Sequence, residues 1–179
     1  EWSVEMQRLI DLALDRAAAD GGLDVVDDLS FPATFGTMAY VLGVGTHEAH
    51  SCRQATLDIG RALRPSATDA DIEGANRAFE WYVDYIRDLI AFKRAHPGAG
   101  MLDAFLAAEA AGTMSDAEVL ATTTLFYAVG HLDNSFLIHN GIRLLLERPD
   151  EAALFATVPE ERMQLIAEIL RIDTPEQFV

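Results

Sequence analysis

Apolar and charged residues recur along this chain with the period of a helix. Between residues 3 and 19, Val4, Leu9, Ile10, Leu12 and Leu14 stand among charges at roughly helical spacing, and Asp20-Gly21-Gly22 then offers glycine for a left-handed cap. Asp24 to Leu29 reads as a short link. Phe31-Pro32 opens a second helix carrying Phe35, Met38, Val41 and Leu42 as far as Gly43-Val44-Gly45. Two more helices are expected over 46–63 and 69–96, the latter launched by Thr68-Asp69-Ala70-Asp71 and lined by Phe79, Trp81, Tyr82, Tyr85, Ile86, Leu89 and Phe92. Trp81, Tyr82 and Tyr85 read as core before they read as a substrate platform. His96-Pro97-Gly98 breaks that helix, and Leu102, Phe105 and Leu106 share one face of the next, which ends at Gly112. Ser115-Asp116-Ala117-Glu118 is a capping box opening a proline-free pattern over 116–147, long enough for one helix of roughly 45–50 Å. Helices starting at Pro149 and Pro159 complete the pattern. With no alternating strand, repeat or low-complexity tract, the fold class is all-α, a single helical domain over 1–179.

Composition narrows the function classes. Half the residues are hydrophobic, and the mean hydropathy is +0.12, as in a globular protein with a real core. One cysteine, Cys52, excludes an internal disulfide and a multi-cysteine metal site, which suits the cytoplasm. Thirteen Lys+Arg against 29 Asp+Glu give a net charge of −16, which repels phosphate backbones and anionic lipid headgroups. Nucleic acid and membrane are therefore not expected partners. No apolar run reaches the roughly 18 residues of a membrane span, and with no basic-then-apolar stretch among the first residues given, neither a span nor a leader is expected.

The long pattern contains Tyr127-Ala128-Val129-Gly130-His131-Leu132-Asp133-Asn134 and runs through Asn140-Gly141 to Arg148-Pro149-Asp150; Glu168-Ile169-Leu170-Arg171 follows. Upstream stand the turn Leu42-Gly43-Val44 and the stretch from Lys93-Arg94 through Pro97-Gly98 to Met101-Leu102-Asp103-Ala104-Phe105-Leu106; downstream stands Asp173-Thr174-Pro175-Glu176-Gln177. In order and content these segments resemble the middle of the cytochrome P-450 family, the haem-thiolate monooxygenases. The resemblance implies a multi-helix portion of that fold, with Glu168 and Arg171 as a structural pair. It also marks two departures. The family's oxygen-binding helix carries Ala-Gly-x-Glu/Asp-Thr-Thr, whose acid and first threonine deliver protons; here those positions read Leu132 and Asp133, with Asn134 next. The family's cysteine loop lies beyond Glu-x-x-Arg, whereas Cys52 lies far upstream. The expectation is a haem-free relative with no cofactor and no monooxygenase activity.

If the long helix still faces the family's cavity, Thr122, Phe126, Val129, Gly130 and Asp133 share the facing side, and Asn134 adds a polar contact. These are the candidate substrate-binding residues, with Gly130 allowing close approach of a ligand. Asp133 is the candidate acid, since an apolar pocket favours a protonated carboxyl; the alternative is a cap or a partner at a dimer contact. His131 is a second catalytic candidate against a satisfied core or interface histidine. His47, His50 and Cys52 sketch a metal site without a further ligand, so no metal is expected. Apolar surface around Leu125, Phe126, Phe136, Leu137 and Leu144 calls for cover, and a second copy of the chain is the simplest. Two functions remain open. One is a cofactor-independent cyclase or isomerase for a hydrophobic natural-product intermediate, such as a polyketide. The other resembles the noncatalytic helpers that activate a glycosyltransferase. A converging pocket with a desolvated acid favours the first; a closed core with an exposed apolar patch favours the second.

Overall fold

The computed structural model describes residues 2–175, so the Glu176-Gln177 part of the last motif lies outside the described residues. The regular elements among these residues are all helical, with no strand among them. They part into two compact units, Phe35–His131 with the start of the first helix, and Arg8–Thr34 with the residues from Leu132 on.

In the first unit, α2 (Phe31–Leu42) enters and stops at Gly43, whose φ of +75° suits glycine. Helices α3 (Ala49–Ala62) and α4 (Asp69–Ala95) pack along each other, and α5 (Met101–Ala110) and α6 (Asp116–Val129) pack on α4 and on one another. Local chemistry sets the helix starts. Thr68 Oγ1 accepts from the Asp71 amide while the Asp71 carboxylate accepts from the Thr68 amide at 2.8 Å, and Ser115 and Glu118 repeat the arrangement. The core of this unit is Leu42, Cys52, Tyr82, Ile86, Leu102, Val119 and Tyr127. Lys93 is also buried. Its ammonium bonds the Asp103 carboxylate at 2.7 Å and donates to the Gly43 carbonyl at 3.1 Å, tying the end of α2 to the turn before α5.

In the second unit, α1 (Trp2–Asp20) ends at Gly21, with φ of +81°, as the glycine pair predicts. The expected link is a π-helical turn, Val25–Ser30, capped by Asp24 Oδ1, which accepts from the amides of Val26 and Asp27. This turn packs on α7 (Leu132–Glu147), where Ser30 Oγ and Ser135 Oγ meet at 2.9 Å in the interior. Helices α8 (Pro149–Thr157) and α9 (Arg162–Ile172), joined by a short turn at Pro159–Glu161, pack on α7 as well. Gly141 stands beside Ile169 of α9.

The pattern over 116–147 is divided. It runs as α6 and α7 with a break at Gly130-His131, so the single 45–50 Å strut expected from the absence of proline is not formed.

Candidate functional site

The break is built from side chains that the helical period does not register. Gly130 stays right-handed, and its N–H reaches the Phe126 carbonyl at 3.0 Å. The next acceptor, the Tyr127 carbonyl, is taken by the His131 ring, whose Nδ1–H donates to it at 3.0 Å. That carbonyl is the one a continuing helix would give to the His131 backbone N–H, so side chain and ladder compete for one acceptor. Phe35 stands edge-on to both Tyr127 and His131, at ring separations of 5.5 and 5.1 Å. His131 is wholly enclosed, and burial pushes its pKa down to about 4 against the opposing hydrogen bond to Tyr127, leaving the ring neutral at pH 7.

The predicted site residues divide between the two units, Thr122 to His131 in the first and Asp133 with Asn134 in the second. Phe126 and Val129 are 38% and 45% exposed, and with Leu125 at 61% they form an open apolar ridge on α6. Phe105 of α5 stands beside Phe126, with ring centroids 6.2 Å apart. Thr122 is half-buried next to it. Gly130 does not open onto ligand space on its Cβ side, because the Met38 thioether occupies it. Asp133 is half-buried, Asn134 is exposed, and between them and Gly130 stands Leu132, 9% exposed in the core. His139 and Asn140 are half-buried. The Glu168–Arg171 pair forms with bonds of 2.6 and 2.8 Å, but on the surface of α9 as a local i,i+3 bridge.

His47, His50 and Cys52 do not converge. His47 lines one cleft, His50 another, and Cys52 is in the core; no three His, Cys, Asp or Glu side chains among the described residues cluster as metal ligands. Cys52 belongs to a network that spacing did not reveal. The Tyr82 hydroxyl donates to the Cys52 carbonyl at 2.8 Å, and the hydroxyl of Tyr127, whose ring stands edge-on to that of Tyr82 at 6.5 Å, meets that of Tyr85 at 3.0 Å. Burial pushes the Cys52 thiol up to about 12, and the Tyr85 and Tyr127 phenols also rise, chiefly through burial. A haem ligand must be a thiolate with room for iron beside it, so the enclosed, protonated Cys52 does not fit that role. The aromatic run 81–85 was the available signal for this network, but it does not say which ring turns inward.

No family model matches the chain. Curated proteins do. A cytochrome P-450 of Saccharopolyspora erythraea is 29% identical over 171 residues, 95% of this chain and 40% of its own length. Nocardicin C N-oxygenase of Nocardia uniformis is 28% identical over 96% of this chain and 42% of its own. Among solved structures, CalO2 superposes with a TM-score of 0.82 at 28% identity, covering 97% of this chain and 43% of CalO2. A Mycobacterium smegmatis structure with econazole bound reaches a TM-score of 0.85 at 24% identity, a likeness of fold, over 99% of this chain and 46% of its own. The chain thus spans about two fifths of the length of the curated relatives it matches. Its sequence and its all-helical fold make it a relative of the cytochromes P-450.

Proposed function

We propose that this chain holds a hydrophobic small molecule against the α6 ridge and promotes a non-oxidative ring closure or isomerisation, without oxygen activation by an acid–threonine pair. The observation that carries this reading is Leu132. Where the resembled family places its acid, this chain has an apolar side chain packed into the core, so a proton relay at that position lacks its carboxyl. The next residue is a carboxyl in place of a hydroxyl. Leu125, Phe126 and Val129 supply an apolar wall, and a ligand that covers them removes costly surface from water, at about 25 cal/mol per Å². Vitamin D(3) 25-hydroxylase, 26% identical over 98% of this chain and 42% of its own length, is named for a hydrophobic substrate. Asp133 is assigned the acid or hydrogen-bond donor and Asn134 a polar contact; buried, neutral His131 is assigned support of the α6 end. Holding reacting carbons in a near-attack geometry lowers a barrier by on the order of several kcal/mol, and polarising a carbonyl adds to it.

The open ridge also favours a second reading, a noncatalytic helper whose Leu125, Phe126 and Val129 contact a partner such as a glycosyltransferase. Self-association through Leu125 and Phe126 is also proposed; of the other residues expected to need cover, Phe136 and Leu137 are half-buried and Leu144 is buried. Light scattering at micromolar concentration reads this directly, and a monodisperse monomer removes it.

The deciding experiment incubates purified, metal-free protein with the intermediate that accumulates in a strain lacking the gene. Conversion by the protein alone, reduced in Asp133→Asn, supports the cyclase or isomerase. Conversion only after a neighbouring transferase is added supports the helper. A thiolate-type haem spectrum with oxygen-dependent turnover overturns both.

A further inference from the structure

Within the first unit, on residues that the α6 ridge does not use, lies a cleft of about 490 Å³. Its floor is the turn Gly43-Val44-Gly45 after α2, and its sides are His47 and Glu48 ahead of α3 and Tyr85, Asp88, Leu89 and Phe92 along α4. The floor is held firmly. Lys93 donates to the Gly43 carbonyl, and Gly43 and Gly100 approach so closely that a Cβ on Gly43 would lie 2.9 Å from the Gly100 Cα.

The lining combines three kinds of group. Leu89 and Val44 are apolar. Tyr85 and Phe92 are aromatic: Trp81 stacks on Tyr85 at 5.1 Å and 8°, while His96 stacks on one face of Phe92 at 4.4 Å and leaves that ring 57% exposed. Glu48 and Asp88 are acidic, and no Lys or Arg lines the cleft. Arg87, next to Asp88, turns instead to Asp84 at 3.5 Å, and Asp88 has no ion-pair partner among the described residues. Glu48 accepts a hydrogen bond from Ser51 Oγ at 3.0 Å, which fixes its carboxylate without neutralising it. The Tyr85 hydroxyl is tied to Tyr127 at 3.0 Å, so the ring is held in place at the wall.

From this arrangement we propose that the cleft binds an organic monocation with an apolar body, a protonated or quaternary amine, with its charge between Glu48 and Asp88 and its body between Tyr85 and Phe92. Two unpaired carboxylates reject an anion, and the chain's charge of −16 adds to that field. A bare divalent metal ion needs at least three converging ligands, and the described residues provide no such cluster. An organic cation needs none: aromatic faces attract it through their quadrupole, and its apolar part covers Phe92 and Leu89. A protonated amine carries N–H donors and a quaternary one carries none, so only the first class can donate to a His47 ring nitrogen.

The test titrates the whole purified chain with benzyltrimethylammonium, its uncharged analogue neopentylbenzene, and phenylacetate. Trp81 emission is read in a Trp2→Phe background, since Trp81 is stacked on the cleft wall and those two are the tryptophans of the chain. The ammonium is expected to bind saturably, with the neutral analogue about fivefold weaker and phenylacetate not binding. Asp88→Asn and Phe92→Leu should each weaken the ammonium by about threefold, and Glu80→Gln, which removes an exposed charge of α4 outside the cleft, should leave it unchanged. Both cleft positions are exposed, so folding is not at stake. Equal binding of the charged and neutral compounds overturns the proposal. So does a Glu80→Gln effect as large as that of Asp88→Asn, which would show a general field rather than a site.

Discussion

The thioether of Met38 fills the space beside Gly130: a Cβ placed on that glycine would lie 3.2 Å from Met38 Sδ, nearer still to its methyl carbon, and 2.5 Å from the Phe126 carbonyl oxygen. The contact ties α2 to the end of α6. In an open helix, Gly→Ala gains up to about 1 kcal/mol. Here Gly130→Ala is expected to cost about 1–3 kcal/mol through overpacking. Denaturant unfolding of Gly130→Ala, Met38→Ala and the double variant checks it: the double variant should be more stable than the sum of the single losses. A stabilised Gly130→Ala would contradict the packing.

His131 titrates against its own burial. Its folded pKa, about 4, lies below the ordinary value of about 6.5, so the unfolded ring binds a proton that the folded ring refuses. Stability should therefore fall as pH drops from about 6.5 to about 4, by about 3 kcal/mol in full, and the contribution is intact above that window. Replacing His131 with Gln should flatten this limb even if it lowers stability overall. Proton NMR of the His131 ring should show no titration near pH 6.5.

The Lys93–Asp103 pair acts at lower pH. Burial raises the Asp103 carboxyl, but the Lys93 ammonium and the amides of Gly98 and Gly100 outweigh it and hold it below the usual carboxylate range. Its stabilisation is present above the ordinary carboxylate value of about 4 and is lost as pH falls through the depressed one. Asp103→Asn leaves a buried ammonium without its counter-charge and should cost about 3–5 kcal/mol. Lys93→Met with Asp103→Asn should cost less than the two single changes added together. Strict additivity in thermal unfolding would mean that the pair is not coupled.

Cys52 should be inert in the folded protein. With its thiol pushed up to about 12, about one molecule in ten thousand carries the thiolate at pH 8. Alkylation by iodoacetamide should run at the rate of opening and rise with denaturant. Prompt labelling of native protein would place the thiol at the surface.

Helix boundaries were legible because their causes are local. Ser115 with Glu118 and Thr68 with Asp71 announce α6 and α4, and Gly21 and Gly43 end α1 and α2 through positive φ. The candidate site was legible only in part. Helical spacing placed Phe126, Val129 and Gly130 on one side of α6; in the fold the first two are exposed, and Met38 fills the space beside the third. Among the clustered aromatics, Tyr82 is enclosed while Tyr85 lines a cleft, a difference of three residues along one helix that depends on where α3 lies.

By itself, the sequence determined the helical class, most of the helix ends and the likeness to the cytochromes P-450, since caps, glycine turns and motif order act within a few residues or along the chain. Tertiary structure alone decided the break at Gly130-His131, the burial of Leu132, the protonation of Cys52 and His131, and the cleft between Glu48 and Asp88. Each of these depends on space and desolvation supplied by residues far away in sequence. Met38 stands 92 positions before Gly130 and Tyr127 stands 75 after Cys52, and no local pattern records which of them will arrive.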